Sequence, residues 1–203
     1  MLVATLAAAL SALTLEWSHV QDYSLTIDAR EFRQGRSQQE ILRYSYRRPN
    51  RARLEILDGP QRGAIVVWFG DERATAYRRG LRLFKLRLAP SDERVTSLRG
   101  NGVLTPSFDA LLACFADHRS RVTEGPGPRV DGIPTVAIAL EYAGFMCPTD
   151  SPFDRDVTRD VLYVSLKTHL PVLRERYAAE QLVERWELHD LRLNSGLTDS
   201  TFR

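Results

Sequence analysis

The stretch Tyr46–Ile56 reads YRRPNRARLEI, and its reading decides the fold. Its arginines make it either a basic patch for nucleic acid or the turn between two strands. Phosphate binding needs several cations on one face without interleaved anions. Here the basic residues alternate with Tyr46, Ala52 and Leu54, and acidic residues occur throughout the neighbourhood. Pro49 removes a backbone donor and suits a hairpin turn or a strand start. The stretch is a turn. Arg47, Arg51 and Arg53 are expected on the solvent face of the flanking strands, and no nucleic-acid partner is expected.

Working outward, the period stays at two. Tyr23, Leu25, Ile27 and Ala29 alternate with Ser24, Thr26, Asp28 and Arg30, as on a half-buried strand. Leu42, Tyr44 and Tyr46 share one face of a second strand, and Ala52, Leu54 and Ile56 one face of a third. AIVVWF at 64–69 reads as a more continuously apolar fourth, turned by Gly70-Asp71-Glu72-Arg73 into ATAY. LRLFKLRL follows Gly80, with Phe84, Leu86 and Leu88 on a shared face. TVAIALEY, VLYVSL, PVLRERY and QLVERWELHDL continue the pattern, the last two as a hairpin turning near Ala178-Ala179. EGPGPRVDG is too rich in Gly and Pro for regular structure and reads as a loop. Short strands joined by tight turns indicate an antiparallel meander.

Two segments are helical. Leu2, Leu6, Leu10, Leu13 and Trp17 recur at spacings of three and four, predicting an amphipathic helix over about 3–18. The same apolar run admits a truncated signal peptide, although no basic residue occurs before Arg30. PSFDALLACFADH predicts a second helix over about 106–117, with Leu111, Leu112 and Phe115 at helical spacing.

The chain has 203 residues, 43% hydrophobic and 27% charged, with a net charge of +2. That balance argues against disorder, and the near-neutral charge supplies no global field toward a polyanion. No linker or repeat divides it, so a single domain over 1–203 is expected. Cys114 and Cys147 lie too far apart for a zinc or redox pair. Two free buried thiols and one disulfide both fit, the disulfide more readily in an exported chain. His19, His118, His169 and His189 have no metal-ligand spacing, and no nucleophile elbow, P-loop or dinucleotide fingerprint occurs. Asp150, Asp154, Asp156 and Asp160 are irregularly spaced, lack a calcium loop's Gly and terminal Glu, and read as a solvated loop. A protein that is not an enzyme, without metal or cofactor, is expected.

A sheet of about ten strands tends to curl, and curling closes its apolar face around something. The predicted architecture is α+β and mostly antiparallel: a strongly curved, unclosed β-barrel of about ten strands, with the two helices covering the concave face.

Arg48-Pro49-Asn50, followed by the arginine-rich strand RARLE and the aromatic strand closing on WFGD, resembles the superfamily of the periplasmic lipoprotein carrier LolA. HLPVLRERY, WELHDL and LNSGLTDSTF are similar to bacterial relatives, and VQDYSLTIDAREFRQG with RGAIVVWFG resembles an uncharacterised exported branch. Asp71-Glu72 departs from that superfamily's usual Asp-Gly turn. The resemblance covers most of the chain. It implies an exported, periplasmic monomer whose hydrophobic cavity takes up acyl chains of a lipid or lipoprotein, with a membrane-associated donor or acceptor protein. It also implies that Arg48 is a gate, hydrogen-bonding to the helices to hold a lid shut. Tyr44, Leu54, Ile56, Val67, Phe84, Leu86, Leu111, Phe115 and Trp186 are the expected cavity lining. The alternative is an envelope sensor or scaffold of the same fold with a filled core, binding a protein partner through its surface.

Overall fold

A computed structural model describes residues 9–81 and 83–203. Among the described residues, eleven antiparallel strands form one sheet: β1 (Asp22–Arg33), β2 (Arg36–Arg47), β3 (Arg51–Asp58), β4 (Ala64–Trp68), β5 (Ala74–Arg78), β6 (Leu86–Leu88), β7 (Val122–Val130), β8 (Ile133–Glu141), β9 (Arg159–Ser165), β10 (Pro171–Ala178) and β11 (Gln181–Leu193). Their order is β6-β5-β4-β3-β2-β1-β11-β10-β9-β8-β7, a curved sheet that does not close. Every neighbouring pair is consecutive in sequence except β1 and β11, which meet in the middle.

The period-two pattern sets the register. Tyr23 faces Tyr46, Leu25 faces Tyr44 and Ile27 faces Leu42 across β1–β2, and Tyr44 faces Leu54 across β2–β3. These residues are buried in the main core with Trp186 and Leu188 of β11. A one-residue slip would turn this whole set to solvent, so the apolar pattern itself fixes the pairing. Helix α1 (Ala9–Ser18) adds Leu10, Leu13 and Trp17 to the same core. Leu2, Leu6 and the expected start near residue 3 lie outside the described residues. Helix α2 (Phe108–Asp117) begins two residues later than the sequence suggests, with Ser107 at its N-cap, and adds Phe108, Leu111, Leu112, Cys114 and Phe115. Asp109 in its first turn suits the positive end of the helix dipole.

Four expectations need correction. EGPGPRVDG is not a loop: Val122–Val130 is the edge strand β7, with Gly125 opposite Ala137 and Pro126 opposite Val136. An edge strand bonds on one side only, so prolines that would break a central strand are accommodated, here with a register shift between Pro126 and Arg129. The LRLFKLRL run is strand only over Leu86–Leu88; Phe84 precedes it and is 75% exposed, and Leu86 is 53% exposed. Val67 is buried on the opposite face of the sheet from Leu54, against Ile65, Tyr77 and Phe202. A continuously apolar strand carries no alternation from which to choose its inward face, and the C-terminal turn Asp199–Phe202 covers the second one. Arg47, Arg51 and Arg53 of the opening stretch lie on that same outer face, where Arg47 and Arg51 pair with Asp199 and Arg53 donates to the Tyr77 hydroxyl and the Arg203 carbonyl.

The aspartate cluster is the fourth correction. Asp154 and Asp160 are buried, and so is the side chain of Asp150. Arg176 donates to Asp150 at 2.7 Å and Asp154 at 2.8 Å, and Arg174 grips Asp160 at 2.6 Å. Arg99 reaches Asp154 and the more exposed Asp156, at 3.3 and 2.6 Å. Glu31 accepts from Ser97, Arg99 and Asn101, and Glu184 accepts from Asn101. Burial pushes the Glu184 carboxyl up to about 8, against the pull of nearby Arg176. One end of the sheet's core face is therefore a charge network rather than an apolar wall.

Candidate ligand-binding site

The expected gate residue, Arg48, sits in the turn that follows β2. Arg48, joined to Pro49 by a cis peptide bond, projects from it toward both helices. Its guanidinium donates to both carboxylate oxygens of Asp109 on α2, at 3.1 and 2.6 Å, and to the Trp17 and Ser18 carbonyls at the end of α1, at 3.1 and 3.3 Å. The Trp17 indole also donates to Asp109, at 2.9 Å. A fork of five donors satisfies a carboxylate and two helix-end carbonyls at once, which a lysine could not do with the same geometry. Below this clasp, Tyr23 packs against Trp17, Tyr46 and Phe108 at ring separations of 5.0, 5.3 and 5.7 Å. The Tyr23 hydroxyl donates to the Pro106 carbonyl and accepts from the Phe108 amide, so it fixes the start of α2 to β1.

Replacing Arg48 with Leu is expected to cost about 1–2 kcal/mol, since the clasp is charge-assisted yet partly exposed. Hydrogen exchange should then speed up in α1 while β1 and β2 stay protected. Unchanged exchange in α1 would show that Arg48 does not hold it.

The remaining candidate residues fall into three places. Tyr44, Leu54, Ile56, Leu111, Phe115 and Trp186 lie together in the main core. The spaces among them are small: about 30 Å³ beside Leu54, Ile56 and Trp186, and about 10 Å³ beside Leu111 and Trp186. Each has room for no more than an isolated water or two, so neither holds an acyl chain. Among the described residues, the Tyr44 hydroxyl and Trp186 Nε1, both buried in the main core, have no hydrogen-bond partner. Phe84 and Leu86 instead border a groove of about 380 Å³ at the sheet's edge, with Val66 of β4, Ala76 of β5, Leu88 of β6 and Val95. Val66, Val95 and Gln61 line both this groove and the 30 Å³ cavity. Val67 belongs to neither.

Sequence reasoning missed Asp109, Val66, Ala76 and Val95. Asp109 was visible as an acid in the first turn of a helix, the one signal available; the others are ordinary apolar residues whose position depends on how the chain after β6 folds back. That chain places Val95, in the short turn Glu93–Val95, against the β4 face. At the far side of the core, Cys114 of α2 and Cys147 of the segment after β8 form a disulfide.

No family model matches the chain, and no curated protein matches it in sequence. Solved structures do. An uncharacterized conserved protein from Thermus thermophilus is similar over 96% of this chain and 90% of its own, at 11% identity and a TM-score of 0.55. A DUF1329 family protein from Desulfovibrio piger matches 98% and 97%, at 13% identity and a TM-score of 0.50. MucB matches 98% of this chain at 17% identity and a TM-score of 0.53, and the chain spans 62% of MucB. At such identities the likeness to these three proteins is one of fold alone.

Proposed function

We propose that the protein binds the acyl chains of a lipid or lipoprotein without covalent chemistry, as a carrier in the cell envelope. The observation that carries this reading is the apolar groove of about 380 Å³ and its shared wall, Val66 and Val95, with the interior cavity. An acyl chain laid along Ala76 and Leu88 meets that wall end-on. Displacement of the Glu93–Val95 turn joins groove and cavity, leading toward Leu54, Ile56 and Trp186. In this mechanism α1 and α2 cover the concave face and Arg48 latches them to the sheet, so the interior is closed when empty. Each buried methylene contributes ~0.8 kcal/mol, so even the groove alone holds a chain segment by several kcal/mol. The Cys114–Cys147 disulfide supports an oxidising, exported location.

The test is uptake of a fluorescent fatty acid by the wild-type protein and by Ala76→Trp, whose indole fills the groove. Saturable uptake is expected in the wild type, weakened at least about tenfold in the variant, a difference of about 1.4 kcal/mol. No uptake, together with no lipid in solvent extracts of the purified protein, would sink the carrier reading.

One observation favours a second reading. The interior is nearly solid, which suits a sensor or scaffold that engages a protein partner through its surface. Under it the wild-type protein takes up no fatty acid, and Ala76→Trp is without consequence for partner binding.

A further inference from the structure

The groove accounts for only part of the segment from Ala74 to Ser91. Between Glu72 and Asp92 the sequence carries Arg73, Arg78, Arg79, Arg82, Lys85 and Arg87 and no acid, in a chain whose net charge is only +2. Within the same run, the β5–β6 connection exposes large apolar side chains: Leu81 at 53%, Leu83 at 95%, Phe84 at 75% and, at its end, Leu86 at 53%. A soluble surface rarely concentrates apolar groups in this way without a partner. The edge of β6 away from β5 is unpaired by any strand among the described residues.

Nearby acids do not cancel the charge. Glu55 engages Arg79 and Arg53, and Asp92 engages Arg94. Asp58 at the end of β3 and Asp71, Glu72 and Glu93 on the flanking turns remain. Against these stand Arg73, Arg78, Lys85 and Arg87, for which no ion pair is formed among the described residues, and Arg62 on the adjoining β3–β4 turn, five cations against four acids. Lys85 lies 5.5 Å from the Tyr77 ring, on the outer face, while Arg78 borders the groove. Cations thus flank the apolar tip on both faces of the sheet edge.

We propose that this connection docks the protein on an anionic bilayer, with Leu83 and Phe84 entering the boundary between headgroups and acyl chains and the flanking cations resting on anionic headgroups. The charge selects an anionic partner. The shape selects a bilayer over an acidic peptide: Leu83 stands almost wholly free of the protein, as suits insertion into a fluid layer, whereas a peptide would need apolar residues gathered into a recess. Docking here also places the mouth of the apolar groove against the bilayer. The proposal does not depend on acyl-chain uptake, because Leu83 does not line the groove.

Co-sedimentation with vesicles containing roughly a third phosphatidylglycerol in phosphatidylcholine tests it, beside vesicles of phosphatidylcholine alone. Binding to the anionic vesicles only is expected, falling at least about tenfold between about 50 and about 500 mM salt. Leu83→Ser and the double variant Lys85→Glu/Arg87→Glu should each weaken it about tenfold with unchanged thermal unfolding, since all three residues are exposed. Fatty-acid uptake measured on Leu83→Ser separates the two proposals, and it should be unchanged. Absence of binding to anionic vesicles at low salt overturns the proposal. So does equal binding by the variants, or saturable binding of an acidic peptide without vesicle binding.

Discussion

Replacing Arg176 with Met is expected to remove about 3–5 kcal/mol of stability, the cost of leaving buried charges without their partner. The guanidinium is fully buried and serves Asp150, Asp154 and, at 3.6 Å, Asp160. Without it, Asp154 and Asp160 keep Arg99 and Arg174 as their cations, and Asp150 keeps the Cys147 amide but no ion pair among the described residues. Native stabilities run to only about 5–15 kcal/mol, so the loss is a large share of the total. Its pH dependence has a definite sign. Burial already raises the Asp150 carboxyl above its ordinary range, and Arg176 is the strongest opposing influence. Removing that influence raises the folded-state pKa further above the unfolded value, so the deficit grows as pH rises from about 4 toward 7. Urea midpoints of the two proteins at both pH values measure it. A loss under about 1 kcal/mol at pH 7 would mean that the network does not depend on Arg176.

Reduction of the Cys114–Cys147 bond is the second large effect. It spans a separation of 33 residues, and opening a loop of that size is expected to cost about 3–4 kcal/mol through the entropy regained by the unfolded chain. For a chain of this length that corresponds to a fall in Tm of about 10 °C. The bond ties α2 to the segment following β8, where the Tyr142 hydroxyl contacts Cys147 Sγ at 3.1 Å. Calorimetry with and without reductant reads the shift, and a double serine variant should match the reduced protein and ignore reductant. An unchanged Tm after thiol titration has verified complete reduction would exclude the bond as a stabilising element.

What could be read from the sequence follows local rules. Alternation placed Tyr23, Leu25, Ile27, Leu42, Tyr44 and Leu54 on one face, because a half-buried strand writes its orientation into its own residues. Arg48-Pro49 was legible as a turn for the same reason. The losses are nonlocal. Asp154 and Asp160 read as solvated because their arginines lie on a different strand or in the chain after β6. The β7 segment read as loop because its Gly and Pro residues count against a strand, and only its place at the sheet's edge excuses them. Val67 could not be oriented because both faces of its strand are buried. The groove was half visible, through Phe84 and Leu86, and its other wall depends on where Val95 returns.

The junction of β1 and β11 bears on how the molecule comes into being. Strands β1 to β6 form one meander and β7 to β11 another, each built of neighbours in sequence. Tyr23 meets Leu193 only when both are present and aligned. Local hairpins form on the order of microseconds, whereas joining strands so distant along the chain carries the largest loop-closure cost in the sheet. The centre of the sheet is consequently its youngest part, completed only when synthesis has delivered β11. Until then β1 presents a bare edge, and that interval is when the nascent chain is most open to mispairing or to a chaperone.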